Sequence, residues 1–352
     1  MRLDSYRWPA EWEPHAGTWL AWPVNPDTWP GLFENIPKAY ARFVAAVAQF
    51  EPVFLLANST VQPEAARLVE SACSATAACH PVHFFDVATN DSWCRDFGPQ
   101  FLQHSTPGHG SGPAQLIVDW GYNAWGQKYP PWNLDAAATQ QIAKLTSLDV
   151  VTPGLVLEGG AIDGNGKGTV MTTASCLLHP GRNGTVERST VESWLNVWMG
   201  AKQVIWLPGG GIAGDDTDGH IDQIARFVGL RSVVVATPAD NDSAHADALR
   251  ENLRVLSEAR IDQQSLQLTE LQCPCPAFHN GHPLPCSYAN FYLCNSGVLC
   301  PLFQDPADDE AMAVLQAVFP DRRVVGVDCL DLVWGLGALH CLTREQPLAP
   351  SS

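Results

Sequence analysis

The sequence predicts an α/β protein built as a ring of five similar modules, and three observations carry that prediction. Strand-like and helix-like segments alternate along the 352 residues. The order strand, helix, strand and one further strand comes round five times. Each time the further strand carries a polar residue: Asp96, Glu158, His220, Asn290 and Cys341. A structural repeat at intervals of roughly fifty to seventy residues, without a repeat of sequence, points to modules whose last strands converge on one centre. Carboxylates, an imidazole and a thiol meeting there would make a nucleophilic-cysteine site.

The first module opens on residues 52–57 (PVFLLA), a short apolar run read as a buried strand. Residues 63–73 follow as a helix, 82–87 (VHFFDV) as the returning strand, and 91–101 as the strand of Asp96. In the second, strand 114–120 and helix 134–145 lead to 155–163, which carries Glu158; GNGKG at 164–168 then turns a hairpin into 169–178. The third has a helix at 189–199, a strand at 203–207 (QVIWL) and the strand 218–228 of His220. The fourth sets strand 232–237, helix 242–259 and strand 265–272 before Asn290, with 273–285 as an interruption.

The fifth module is the clearest. After strand 297–303, Asp305 and Pro306 supply a helix cap and a first-turn proline. Ala311, Val314, Leu315, Val318 and Phe319 follow at helical spacing, and Pro320 stops the helix. Residues 324–327 return as a strand, and 335–343 carry Cys341.

Composition narrows the function. With 46% hydrophobic residues and 13 Trp, the chain can bury a large core. No apolar run reaches the ~18 residues of a membrane span. Arg2, Asp4, Arg7, Glu11 and Glu13 interrupt any apolar stretch that a secretory leader would need, so a cytoplasmic location is expected. A net charge of −17 repels nucleic-acid phosphates and suits a small cation, although acidic balance also serves solubility. Eleven cysteines are an odd number, so at least one is unpaired; most are expected to be small buried apolar groups rather than bridges.

Strand alternation sharpens the site. Read as a strand, residues 217–222 (TDGHID) put Asp218, His220 and Asp222 on one face. The same period sends His340 and Cys341 to opposite faces, so the histidine partner of the thiol is expected to be His220 and not His340. Glu158, in an apolar strand beside Leu157 and Gly159, would be costly to bury unpartnered, and either orients an imidazole or caps a neighbouring backbone. Trp93 is a candidate pocket wall, although on a regular strand it would face away from Asp96. The aromatic, glycine-rich stretch 119–132 (DWGYNAWGQKYPPW) reads as a lid or a rigid surface loop, with Trp125 a candidate substrate contact.

Two motifs invite a stronger reading than they support. Cys273, Cys275, His279, His282 and Cys286 look like a zinc cluster, but their gaps and four interleaved prolines fit zinc spacings poorly. A loop at the rim of the site is expected instead, with no metal. GNGKGT at 164–169 lacks the spacing of a phosphate-binding loop.

Six stretches jointly carry a family resemblance: PAEWEPHAGTWLAWP (9–23), DSWCRDFGP (91–99), LEGGAIDGNGKG (157–168), TDGHIDQIARFV (217–228), NFYLCNSGVLCP (290–301) and GLGALHCLT (335–343). Together they resemble the agmatine deiminase and bacterial-type peptidyl-arginine deiminase family over essentially the whole chain. The resemblance implies the pentein fold, a five-bladed pseudo-symmetric α/β propeller forming a single catalytic domain over 1–352. By motif it makes Asp96 and Asp222 the carboxylates that grip a guanidinium, Glu158 the orienter of the histidine, His220 the general acid/base and Cys341 the nucleophile; Asn290 is expected to serve the fold. One position departs: the family run commonly reads GGGNIHC, and here Ala338 stands in place of the asparagine.

What the resemblance implies is chemically coherent. A guanidinium is planar and delocalised, so carboxylates must hold it while a thiolate adds to its carbon. The implied reaction is hydrolytic deimination of a small guanidine, agmatine first, to a ureido product on the route to putrescine. No cofactor is needed. The alternatives are a peptidyl-arginine deiminase making citrulline and a catalytically silent guanidinium-binding protein. Arg95 and Arg226, the main cations of the motif segments, are not expected to serve a substrate carboxylate, which favours agmatine over arginine. Self-association is left open.

Overall fold

Parallel neighbours in a sheet require a long crossover, and the amphipathic helices supply it. The computed structural model describes residues 3–76, 78–105, 112–239 and 244–349. Five of its sheets share one pattern, in which a central strand has an antiparallel neighbour on one side and a parallel neighbour on the other. Gln115–Val118 lies between Gln100–His104 and Asp149–Val151. Thr169–Thr173 lies between Ile162–Gly164 and Gln203–Leu207. Ser232–Thr237 lies between Ala225–Phe227 and Gln267–Gln272. Gly297–Leu302 lies between Tyr292–Leu293 and Arg323–Asp328. In the remaining sheet His15–Ala21 pairs with Val53–Leu56 on one side, and its antiparallel neighbour, Arg344–Pro347, comes from the opposite end of the chain.

Between each central strand and its parallel partner runs a helix, such as Asn133–Thr146, Arg188–Met199 or Asp308–Val318. The helix Ile36–Ala48 buries Ile36, Ala39, Tyr40, Phe43, Val44 and Val47, a stripe at helical period that seats it on its sheet. Asp308–Val318 starts later than the sequence suggests. Its N-cap is Ala307, while the Asp305 carboxylate accepts the Ala307 N–H at 2.9 Å in the preceding turn.

The strands expected to carry the five polar residues are shorter than read, and those residues lie outside them. Immediately before the antiparallel neighbour of each central strand the chain makes one helical turn: Cys94–Phe97, Gly159–Ala161, Ile221–Gln223, Tyr288–Asn290 and Leu339–Leu342. Asp96, Asn290 and Cys341 sit in their turns, and Glu158 and His220 directly precede theirs. A turn closes its own backbone bonds, as in Gly98 N–H to Cys94 O at 2.9 Å and Ile224 N–H to Ile221 O at 2.9 Å, where an unpaired strand end would leave them open. Each turn packs against the next, and the last packs against the first. No sheet closes on itself among the described residues, and no helix is long and apolar enough to cross a membrane.

Candidate active site

The circle of turns brings Asp96, His220, Asp222 and Cys341 to one point. Gly160 marks it: a Cβ added there would lie 2.6 Å from His220 Nδ1, 2.8 Å from Asp96 Oδ1 and 3.0 Å from Asp222 Oδ2. Asp96 accepts the Gly160 N–H on Oδ1 and the Trp125 indole N–H on Oδ2, both at 2.9 Å. His220 Nδ1 stands 3.7 Å from Asp96 Oδ1. The Cys341 thiol lies 3.7 Å from Asp222 Oδ2 and accepts from the Asn290 amide at 3.2 Å. Both ring nitrogens of His220, and Asp222 Oδ1, are buried with no hydrogen-bond partner, so these atoms are free for a ligand.

A cavity of 780 Å³ opens onto this point, and its lining includes Asp96, Trp93, Tyr122, Trp125, Leu336 and Cys341. Trp93 therefore lines the pocket together with Asp96, against the strand-based expectation. The helical turn rotates them onto a common side, and the missing side chain at Gly337 lets the indole in: a Cβ there would lie 2.4 Å from the Trp93 ring. Trp125 reaches Asp96 through a left-handed turn, with φ of 50, 56, 88 and 71° at residues 124–127. Asn123 secures that turn by accepting the Gly126 N–H and donating to Gly181 O.

Four further expectations change. Asp218, at φ 67°, turns away from His220 and pairs with Arg182 at 2.6 Å and Lys128 at 3.1 Å. No strand runs through 217–222 to impose alternation. Glu158 does not hydrogen-bond His220; Arg182 Nε donates to both its oxygens, at 3.0 and 2.9 Å. Asn290 is more than a fold residue: its Oδ1 accepts the His340 and Cys341 N–H groups at 3.0 and 3.4 Å while its amide reaches the thiol. His340 also points inward, with Nδ1 2.7 Å from Asp222 Oδ2, because a helical turn and not a strand carries residues 339–342. Sequence reasoning missed Gly160, Arg182 and this use of Asn290 and His340. A glycine pair beside Glu158 was the one visible signal.

The model of the Porphyromonas-type peptidyl-arginine deiminase family matches residues 7–347. This chain belongs to that family. It is 34% identical over 372 residues to the agmatine deiminase of Pseudomonas aeruginosa strain LESB58, covering 98% of this chain and 96% of the relative. Among solved structures, the agmatine deiminase of Enterococcus faecalis superposes with a TM-score of 0.87 at 29% identity, covering 98% of this chain and 96% of that one. A cysteine-to-serine variant of the C. jejuni agmatine deiminase with substrate bound gives 0.86 at 28%, covering 98% and 97%.

Within this family member the charges are set by burial and by neighbours. Burial alone would push the His220 imidazole down, but the Asp96 carboxylate, the Cys176 side chain and the Asp222 carboxylate together outweigh it and lift the group to about 10. Burial pushes the Cys341 thiol well up, and the charges of Asp222 and Asp96 push the same way. Asp96 is raised by burial, whereas Asp222 stays low against burial because it accepts from His340. The surroundings thus favour a neutral thiol at Cys341 and an imidazolium at His220. Glu158, Cys176 and His220 offer ligand atoms within 4.8 Å of one another, the one such grouping among the described residues. The Arg182 guanidinium against Glu158 disfavours a second cation there. The rim ribbon, Phe278–His279 paired with His282–Pro283, brings both histidines to the cavity wall.

Farther along the cavity Asp91 and Asp135 lie together. The Asp135 carboxylate accepts the Asn90 and Asp91 N–H groups at 2.6 and 3.2 Å. Burial, then the charge of Asp91, lifts Asp135 to about 8, and burial lifts Asp91 to about 6.

Two outcomes are expected. Gly160→Ala forces a methyl group against His220, Asp96 and Asp222, which leave it no room, so turnover falls at least about a hundredfold while the circular dichroism spectrum is kept; near-normal activity would show that the close packing at Gly160 does not set the geometry of these groups. The folded pKa of Asp135, about 8, exceeds the ordinary 3.8, so folding takes up a proton and wild-type stability declines as pH rises between those values. Asp135→Asn escapes that loss, and its thermal midpoint should exceed that of wild type by at least about 2 °C at pH 8, with the advantage shrinking toward pH 4.

Proposed function

We propose that this protein hydrolyses agmatine to N-carbamoylputrescine and ammonia through a covalent bond to Cys341. The reading rests on one observation: a buried thiol, an imidazole and two carboxylates meet at the wall of a cavity in a chain whose full-length relatives include agmatine deiminases. Asp96 and Asp222 grip the guanidinium, with the indoles of Trp93 and Trp125 as walls. The bound cation offsets the carboxylate charges, and the Cys341 thiol gives its proton to solvent. Sulfur then adds to the guanidinium carbon. His220 protonates one nitrogen, the C–N bond breaks, and ammonia leaves a thiouronium on Cys341. A water that passes a proton to His220 adds to the same carbon, the C–S bond breaks, and the ureido product departs.

We read the five sheets as a five-bladed α/β propeller of the pentein type, one catalytic domain over 1–352; the closed circle of contacts among the five turns supports this. A cytoplasmic location is supported by eleven unbridged cysteines.

Substrate choice follows from where the cations are spent. Arg95 pairs with Glu345 at 2.7 Å, Arg226 with Asp163 at 2.8 Å, and Lys128, on the cavity wall, with Asp216 and Asp218 at 3.1 Å. Asp27, Asp91 and Asp216 also line the cavity, an environment for an ammonium and not for a carboxylate. The breadth of the cavity favours a second reading, peptidyl-arginine, which the same assay decides. With agmatine, arginine and a blocked arginyl peptide compared by ammonia release and ureido formation, agmatine should lead arginine at least about tenfold in kcat/KM, ~1.4 kcal/mol. Equal or better turnover of arginine or the peptide would overturn the substrate while keeping the chemistry.

Cys341→Ser should abolish turnover with the fold intact, and His220→Ala should cost about a hundredfold or more. Near wild-type activity in Cys341→Ser would remove the assignment of the nucleophile.

A further inference from the structure

Behind Asp222 lies a chain of buried groups with no place in the reaction as written. His340 is 2% exposed, and both its ring nitrogens face carboxylates: Nδ1 is 2.7 Å from Asp222 Oδ2 and Nε2 is 2.8 Å from Glu11 Oε2. An ionised carboxylate only accepts, so Nδ1 serves as the donor to Asp222. Glu11 is fixed in turn by Arg226 at 2.8 Å, Arg95 at 3.4 Å and the Leu293 N–H at 3.0 Å. The far sides of those arginines are held by Asp163 and Glu345. The imidazole therefore cannot swing, and the Asp222 oxygen it holds cannot swing either. The other oxygen, Oδ1, is buried and without a partner.

We propose that His340, anchored by Glu11, is a positioning residue for Asp222: it occupies Oδ2 and presents Oδ1, ionised, to the guanidinium. The inference rests on the deiminase reading for its ligand but not for its geometry. Asp222 faces His340 and Cys341 directly and feels the charges of His220 and Arg226, while His340 faces Asp222 and Glu11. Glu11 is held well below the usual carboxylate range, against burial, by Arg226, His340 and Arg95, in keeping with an ionised anchor. Without a donor on Oδ2, Asp222 would lie buried beside a thiol and near Asp96, an environment that favours its neutral form. Neutral Asp222 grips a cation poorly.

Two isosteric variants separate the nitrogens. Asn places an amide donor near the position of Nδ1, whereas Gln places it near Nε2 and misses Asp222. With agmatine as substrate, the acid limb of the kcat/KM profile should move up by at least about one pH unit in His340→Gln, chiefly through KM, and stay near wild type in His340→Asn. A merely structural role would lower both variants alike without moving the limb, and that result overturns the proposal. A second measurement needs neither turnover nor variants that fold well. In ¹⁵N spectra of histidine-labelled wild-type protein without ligand, the buried ring of His340 should show a hydrogen on Nδ1. A bare Nδ1 overturns the proposal, whereas failure of wild type to release ammonia from agmatine would overturn only the deiminase reading.

Discussion

Three carboxylates, those of Asp96, Glu158 and Asp222, are buried in neighbouring turns, none more than 5% exposed. Like charges so enclosed would take up protons unless each were answered, and the centre of the molecule is organised around the answers. Glu158 has a guanidinium, Asp222 has an imidazole, and Asp96 has two neutral donors with His220 close by. The differences matter: Glu158 is wholly satisfied by a fixed guanidinium, and of the three only Asp96 lines the cavity. Beyond these contacts a further layer of Glu11, Arg95, Arg226, Asp163 and Glu345 alternates in sign. Such buried pairs add little net stability, yet removing one partner costs ~3–5 kcal/mol, so they hold a geometry more than they raise a melting point.

The layers of this fold were legible because burial leaves a period in the sequence. Runs such as 52–57 and 203–207 became strands, and the spacing of Ala311, Val314, Leu315 and Val318 became a helix. The five turns left no such trace. A single helical turn is too short to show a period, and its residues are chosen for contacts made far away in sequence. Reading 217–222 and 340–341 as strands therefore applied a period of two where none exists, which misplaced Asp218 and turned His340 outward.

The site was legible to a similar depth. Asp96, His220, Asp222 and Cys341 announce themselves by residue type within recognisable stretches, and they converge. Their supports do not announce themselves: Glu11 and His340 are 329 residues apart, and Asn290 meets Cys341 across 51. Trp125 was suggested by composition, but nothing in DWGYNAWGQKY foretells four consecutive left-handed residues that carry its ring to Asp96.

The strand Arg344–Pro347 completes a sheet begun by His15–Ala21, and Cys341 lies just ahead of it. During synthesis the ribosome releases the strands of the other four sheets, with Asp96, Glu158, His220 and Asp222, before either the closing strand or the Cys341 thiol has emerged. A message cut short just before this segment therefore yields a chain whose remaining sheet lacks its antiparallel edge and whose central cluster lacks its thiol, both losses coming from one short stretch.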